Sequence, residues 1–185
     1  MSKSKLTDWQ ITKKELIIKD HFLSLYKYTT INPLGKKGYF WVAKRFSPFF
    51  VVIIPIIKSN TTLIIGQYRP PIQQVTWEFP MGAVSNINNP QKAARIELKE
   101  ETGFTAQELK LIGQFYPAAG LLNQKAYVFV AYNLQPGPPQ PEDNEYFETQ
   151  IISFDKLEQM IQNGQIICGI TIAAYYLFKN QKNHV

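Results

Sequence analysis

Short apolar runs, separated by Pro, Gly and Asn, fill most of the chain before its last quarter, and this pattern predicts strands. Residues 15–32 are predicted to be extended and closed by a turn at NPLGKKG, and YFWVAKRF predicts a further strand. FFVVIIPII and TTLIIGQYRP predict a hairpin; its first strand is apolar on both faces and should be central and buried. VTWEFPMGAV, ELKLIGQFYPAAG and KAYVFVAYNL predict the strands that follow.

A helical pattern interrupts the strands at residues 89–102. Asn89 can cap the N-terminus, Pro90 suits the first helical position, and Gly103 lies just past the end. After a Pro-rich loop, QPGPPQPEDNE, the segment TQIISFDKL predicts a last strand, and DKLEQMIQNG and TIAAYYLFKN predict two terminal helices. A strand-rich middle with one embedded helix indicates an α/β sandwich with a mixed sheet, rather than regular strand–helix alternation.

Length and composition narrow the class of protein. The 185 residues can bury one hydrophobic core, and one cysteine, Cys168, excludes an internal disulfide or a cysteine cluster for zinc. The longest apolar run, residues 49–57, is too short to cross a bilayer, and the N-terminus lacks the apolar segment of a signal peptide. We therefore expect a cytoplasmic location and no membrane partner. The net charge of +6 suits anionic ligands, but the lysines are scattered, so nucleic acid is not the expected partner.

Three glutamates in the embedded helix are the first candidate site. Glu97, Glu100 and Glu101 are spaced so that they share one helical face. Carboxylates at this spacing repel one another, and they are either a solvated acidic face or ligands of a hard divalent cation such as Mg²⁺. Taken alone, ELKEE favours the solvated face, because such runs occur in many solvated helices.

Residues 82–104 as a whole resemble the Nudix box. That pattern is glycine, five residues, glutamate, seven residues, then Arg-Glu-hydrophobe-any-Glu-Glu-any-Gly-hydrophobe, and the chain follows its spacing without a gap. Asn88 stands at the first glutamate and Ile96 at the arginine. The other seven defined positions match: Gly82, Glu97, Leu98, Glu100, Glu101, Gly103 and Phe104. The resemblance implies a Nudix-type α/β/α sandwich with a mixed sheet, preceded by a strand-rich segment.

The segment before the box, QYRPPIQQVTWEFPMG, is similar to that of the ADP-ribose pyrophosphatase branch of this family. The resemblance implies that Arg69 contacts substrate phosphates, as a bidentate guanidinium can, and that Glu78 lies near the substrate. Without the resemblance, a surface charge at the end of a strand is the favoured interpretation of Arg69. The resemblance also implies a metal site for Mg²⁺, with Mn²⁺ as a substitute, formed by the carbonyl of Met81 and by Glu97, Glu100 and Glu101.

A late acidic loop is the source of the catalytic carboxylate in this family. The resemblance selects Glu145, which precedes an aromatic pair, with Asp143 and Glu142 as the alternatives in the same loop. Glu145 or Glu97 would orient or deprotonate the attacking water.

Aromatic residues near the N-terminus are candidates for binding adenine. In the family, adenine stacks on aromatics of the N-terminal segment, often across a homodimer, and Phe22 with Phe40 or Trp41 occupies suitable positions. The same rings could instead pack in a strand core. The resemblance divides the chain into a segment at 1–48, for dimerisation and adenine binding, and a Nudix domain at 49–185.

The sequence therefore predicts a Mg²⁺-dependent hydrolase of ADP-ribose or another ADP-sugar, releasing AMP and a sugar phosphate. Asn88 and Ile96 keep open a Nudix fold that binds nucleotide with weak or no turnover. The net charge of +6 keeps open a third possibility, in which the substrate is an RNA 5′ end or a nucleoside triphosphate.

Overall fold

The chain folds into two compact units. A computed structural model describes residues 5–83, 88–141 and 145–181. The first unit combines Met1–Pro48 with Tyr116–Gln124, and the second combines Phe49–Phe115 with Lys125–Val185. No feature of the sequence predicts that Tyr116–Gln124 belongs with the first unit. A boundary between two domains at residue 49 stays a proposal, in which Tyr116–Gln124 joins the first domain.

The first unit contains a three-stranded antiparallel sheet in the order β1-β2-β3. The stretch predicted as continuously extended is two strands, because the Asp20 carboxylate accepts hydrogen bonds from the N–H groups of Phe22 and Leu23, both at 2.7 Å, and fixes a turn. A short 3-10 helix at Lys5–Thr7 precedes the strands. Their bounds are β1 (Gln10–Lys19), β2 (Leu23–Ile31) and β3 (Lys37–Arg45).

The second unit is built on a seven-stranded mixed sheet with the order β10-β5-β4-β9-β8, in which β6 pairs with β5 and β7 with β4. Strands β4 and β9 are parallel, and the other pairs are antiparallel. The strands are β4 (Phe49–Lys58), β5 (Thr61–Arg69), β6 (Gln74–Glu78), β7 (Met81–Gly82), β8 (Thr105–Phe115), β9 (Lys125–Gln135) and β10 (Glu148–Ser153). The helices are α1 (Pro90–Thr102), α2 (Phe154–Gln162) and α3 (Gly169–Gln181).

Helices cover both faces of this sheet, and β4 lies between β5 and β9. Successive residues of β4 point to opposite faces: Ile53 packs in a cluster with Leu98 of α1, whereas Ile54 packs in a cluster with Leu157 of α2 and Phe178 of α3. Double coverage explains why this strand is apolar at every position. The predictions of a central buried strand and of an α/β/α sandwich with a mixed sheet are confirmed.

The ends of the helices follow from local hydrogen bonds. The Asn89 side chain accepts from the N–H of Lys92 at 3.1 Å, and Gly103 adopts φ 75°, so both predicted caps of α1 are confirmed. The prediction that the last strand continues through Phe154 is wrong. Ser153 ends the strand and caps α2 by accepting from the N–H of Lys156, and the ring of Phe154 stacks on Phe178. In the described part of the chain, no helix is both long and apolar enough to cross a membrane.

Candidate active site

The three glutamates of α1 do not form a uniformly solvated face. Glu101 is buried, with 5% of its surface exposed, whereas Glu97 and Glu100 are half-buried. On the opposite flank Ala94 and Leu98 are fully buried against the sheet. The helix therefore turns its acidic face toward other parts of the second unit, which a solvated surface helix does not do.

Glu101 is fixed by the backbone before the box. Its Oε2 accepts a hydrogen bond from the N–H of Met81 at 2.8 Å. Burial raises the pKa of the Glu101 carboxyl well above its ordinary value, and the neighbouring carboxylates of Glu97 and Glu145 raise this pKa further. The Met81 hydrogen bond and Arg69 act in the opposite direction. Four groups predicted to form the site thus converge on Glu101.

Glu97 lies directly against Gly82, the glycine that opens the box. A Cβ at position 82 would overlap the carboxylate of Glu97. Gly82 belongs to β7, which pairs with β4, so the backbone of the sheet closely approaches the acidic face of α1. The glycine is required here because it leaves room for this carboxylate, and not because of its backbone conformation.

Two glycine substitutions separate this role from a role in folding. Gly82→Ala should lower the rate of hydrolysis between about 10- and 100-fold, because the new methyl group displaces the Glu97 carboxylate from its position. Its thermal stability should change little, since Glu97 can rotate away. Gly103→Ala should instead destabilise the protein by at least about 1 kcal/mol, because residue 103 has φ 75° and a Cβ would overlap the Gly137 carbonyl.

Kinetics and denaturant unfolding of both variants check this pair. Equal losses of stability in the two variants would show that Gly82 serves packing and not the placement of Glu97.

Arg69 and Glu78 form an ion pair across the β5–β6 hairpin. The Arg69 Nε donates to Glu78 Oε1 at 3.0 Å, and its Nη2 donates to Oε2 at 2.5 Å. Glu78 is 2% exposed, while the Arg69 side chain is 38% exposed. The hydrogen bonds to Glu78 raise the pKa of Arg69, so the guanidinium is held charged and oriented, with N–H groups remaining for a phosphate. Arg69 is therefore not a freely solvated charge at a strand end, because Glu78 fixes its guanidinium.

The segment between Glu78 and Met81 is held by contacts that the sequence pattern does not reveal. The N–H of Phe79 donates to the hydroxyl of Thr171 at 3.1 Å, and the carbonyl of Pro80 accepts from the N–H of Ile53 at 2.9 Å. Thr171 is fully buried in α3. A threonine in an otherwise apolar helix, TIAAYYLF, is the sequence signal of this role.

The Pro-rich loop is anchored to the C-terminal end of α1. The N–H of Gln140 donates to the carbonyl of Glu100 at 2.9 Å, and Gly137 lies against Gly103. This loop leads toward Glu145, whose charge acts on Glu101. The alternative acids Glu142 and Asp143 lie outside the described residues.

The donor set suits a hard divalent cation. All of the predicted ligands are carboxylate or carbonyl oxygens, the class that Mg²⁺ and Mn²⁺ prefer. A buried carboxylate whose pKa is raised by two other carboxylates is a place where a cation would relieve repulsion. Within residues 5–83, 88–141 and 145–181, no three His, Cys, Asp or Glu side chains form a ready set of metal ligands. The metal-binding roles of Met81, Glu97, Glu100 and Glu101 therefore stay predictions.

The two positions that depart from the box differ in their surroundings. Asn88 is exposed just before the helix, and Ile96 is half-buried within it. The neighbouring Arg95 donates to the backbone carbonyls of Ala106 and Gln107 in β8. Arg95 is thus engaged with the next strand, which agrees with its lying on another side of the helix than Ile96.

The predicted adenine-stacking residues lie in the first unit. Phe22 is exposed in the turn between β1 and β2, where its ring lies 4.0 Å from that of His21, centroid to centroid. Phe40 and Trp41 are both exposed but, as neighbours in a strand, they point to opposite faces of the sheet. A ligand on one face can therefore stack on only one of these two residues, and their roles stay predictions.

Comparison with known proteins identifies the family. Residues 48–167 match the NUDIX domain. The chain belongs to the Nudix family. This match includes the whole box, from Gly82 to Phe104, together with Arg69, Glu78 and Glu145. The resemblance inferred from residues 82–104 is confirmed.

Two relatives and one solved structure are similar to this Nudix chain over most of its length. It is 25% identical over 155 residues to ADP-ribose pyrophosphatase from Bacillus subtilis, covering 83% of each chain. It is 28% identical over 162 residues to ADP-sugar pyrophosphatase from Mus musculus, covering 79% of this chain and 73% of that protein. The crystal structure of an ADP compounds hydrolase superposes with a TM-score of 0.86 at 20% identity, over 99% of this chain and 98% of the other. That structure supports the fold along essentially the whole chain.

Proposed function

We propose that this Nudix protein hydrolyses the diphosphate bond of ADP-ribose or another ADP-sugar. Water attacks one phosphorus, the bridging P–O bond breaks, and the products are AMP and a sugar phosphate. The observation that carries the proposal is the buried Glu101, held by the N–H of Met81, with the Glu97 carboxylate against the adjacent Gly82. The similarity to pyrophosphatases of ADP-ribose and ADP-sugars supports this substrate class.

The residues of the second unit divide the work between binding and proton transfer. Arg69, oriented by Glu78, holds a phosphate oxygen and stabilises the negative charge that grows as the P–O bond breaks. Glu145 or Glu97 orients the water and accepts its proton. Glu101 is held by the N–H of Met81 and supplies a fixed carboxylate at the centre of the group.

The acidic face fits a divalent cation as the cofactor. Met81, Glu97, Glu100 and Glu101 would hold Mg²⁺ or Mn²⁺, which supplies charge neutralisation of the diphosphate and activation of water when bound. Burial raises the pKa of Glu101, and a bound cation would favour its deprotonated carboxylate.

A panel of diphosphate compounds with Mg²⁺ and with Mn²⁺, at neutral and alkaline pH, tests the proposal. ADP-ribose and ADP-sugars should be cleaved in preference to nucleoside triphosphates and capped RNA. Faster cleavage of RNA 5′ ends or triphosphates would replace this proposal with the alternative that the chain's net positive charge keeps open.

A catalytically weak Nudix protein is the second candidate, and Asn88 and Ile96 motivate it. If their presence limits turnover, Asn88→Glu combined with Ile96→Arg should raise the rate of ADP-ribose hydrolysis several-fold, because the new ion pair would steady the start of α1 and its glutamates. The single variants should gain less than the double variant. Steady-state kinetics decide the matter, and an unchanged rate would remove the reason for expecting impaired catalysis.

We also propose a homodimer formed through the first unit. A groove of about 540 Å³ lies within this unit, lined mainly by apolar side chains that include Trp9, Phe40 and Leu121. Trp9, Ile11 and Leu16 are exposed, and apolar surface on this scale is typical of an interface. Light scattering should give twice the chain mass of 21.3 kDa.

A cytoplasmic location remains the proposal made from the sequence.

A further inference from the structure

The positive charge of the protein is concentrated in the first unit. Met1–Pro48 contains ten Lys and Arg residues and three Asp and Glu residues, a formal charge of +7, and Tyr116–Gln124 contains none of these. Since the whole chain carries +6, the second unit is close to neutral, at −1. A unit with this excess of positive charge attracts polyanions.

Part of this charge lies on one face of the three-stranded sheet. Directly paired residues of neighbouring strands share a face. Between β2 and β3 the register pairs Leu23 with Arg45, Lys27 with Trp41, Thr29 with Tyr39 and Ile31 with Lys37. Between β1 and β2 it pairs Lys13 with Thr29. We name this surface the basic face, and its members are Lys13, Lys27, Lys37, Tyr39, Trp41 and Arg45.

The basic face also carries exposed aromatic rings. Tyr39 is 58% exposed and Trp41 is 41% exposed, with their ring centroids 6.3 Å apart. The ammonium group of Lys27 lies 4.7 Å from the centroid of the Tyr39 ring. The one acidic side chain among the strand residues here, Glu15, is paired with Lys13 at 2.8 Å. Two neighbouring aromatic rings therefore lie beside cationic groups on a surface open to solvent.

We propose that the basic face binds single-stranded nucleic acid. Exposed rings on a sheet provide stacking surfaces for unpaired bases, while flanking lysines and arginine contact the phosphates. Tyr39 and Trp41 lie two residues apart on β3, on the same face as Lys27, Lys37 and Arg45, so a strand could stack its bases on the rings while its phosphates meet the cations. The apolar groove lies on the opposite face, with Phe40 and Tyr28, so a homodimer formed there leaves the basic face free.

Fluorescence anisotropy with a labelled single-stranded oligouridylate tests the proposal. Contact of about four cations with phosphates predicts a slope of about −3 for log K against log salt concentration. Trp41→Ala should weaken binding about tenfold, and Trp41→Phe should keep most of the affinity, because phenylalanine still stacks. Binding should also quench the Trp41 fluorescence, measured as the difference between Trp9→Phe and Trp9→Phe/Trp41→Phe, since Trp9 lines the groove of the other face and Trp77 lies in the second unit.

A second variant and a matched control separate the basic face from general charge. Lys27→Gln/Lys37→Gln/Arg45→Gln should reduce the salt slope by about 2, whereas Lys58→Gln/Lys110→Gln/Lys156→Gln, three exposed lysines of the second unit, should leave it unchanged. Circular dichroism and thermal unfolding confirm that each variant is folded.

Four results would overturn the proposal. Two concern binding itself: no binding at low salt, or equal effects of both sets of charge changes. The other two concern competition: polyaspartate or phosphatidylserine vesicles that displace the probe as effectively, per charge, as unlabelled oligouridylate does, or complete displacement by AMP. The last result would assign Trp41 to the base of the substrate.

Discussion

Glu101→Gln is expected to reduce ADP-ribose hydrolysis by about 10²–10³-fold while leaving the protein folded. The substitution removes a buried charge at the point where Glu97, Glu145 and Arg69 converge. Glutamine can still accept the hydrogen bond from the N–H of Met81, so the local backbone should not move. Steady-state rates of AMP formation and the thermal unfolding midpoint measure the two effects.

The same variant has a readout that does not depend on activity. Without a divalent cation, the raised pKa of Glu101 means that folding favours the protonated carboxyl. The contribution of Glu101 to the stability of the fold is therefore lost as the pH rises above 4.5, the ordinary pKa of a glutamate, toward the raised pKa. Wild type should gain thermal stability on addition of Mg²⁺ or Mn²⁺ at neutral pH, whereas Glu101→Gln should gain little.

Glu108→Gln serves as a matched control for Glu101→Gln, because Glu108 is exposed on β8. It should behave as wild type in both assays. An equal cation-dependent gain in stability in wild type and Glu101→Gln would place the metal elsewhere.

Arg69→Met is expected to lower both stability and activity, because it leaves the buried carboxylate of Glu78 without its ion-pair partner. Loss of one partner of a fully buried pair costs about 3–5 kcal/mol; Arg69 is 38% exposed, so we expect a smaller loss of about 2–3 kcal/mol. kcat/KM for ADP-ribose should fall about 100-fold, because the phosphate loses a bidentate cation. Denaturant unfolding and kinetics measure these separately.

The double variant Arg69→Met/Glu78→Leu distinguishes folding from catalysis. Replacing both charges with apolar groups should recover most of the lost stability and none of the lost activity. Recovery of activity with stability would show that Arg69 serves only to neutralise Glu78 and does not contact substrate.

Much of the fold could be predicted because local signals and burial agree. The apolar pattern of β4 reflects coverage by α1 on one face and by α2 and α3 on the other, and the caps of α1 are local hydrogen bonds of Asn89 and Gly103. The apolar pattern misplaces the end of β10, because Phe154 is apolar in a strand and in a helix alike, and only the Ser153 cap decides where α2 begins.

The parts that could not be predicted depend on contacts between residues distant in the chain. The hydrogen bond from Phe79 to Thr171 joins residues that no local pattern relates. The lysines of the first unit are scattered along the chain, and only the pairing of β2 with β3 places Lys27, Lys37 and Arg45 on one face. The ion pair of Arg69 with Glu78 likewise needs the register of the β5–β6 hairpin.

The formation of AMP from ADP-ribose in the presence of Mg²⁺ or Mn²⁺, followed by chromatography, tests the central claim most directly. Wild type should release AMP and ribose 5-phosphate in equal amounts, and Glu101→Gln should release neither at a comparable rate. Folded wild-type protein that forms no AMP with either cation, at neutral or alkaline pH, would contradict the assignment of this acidic site to ADP-sugar hydrolysis.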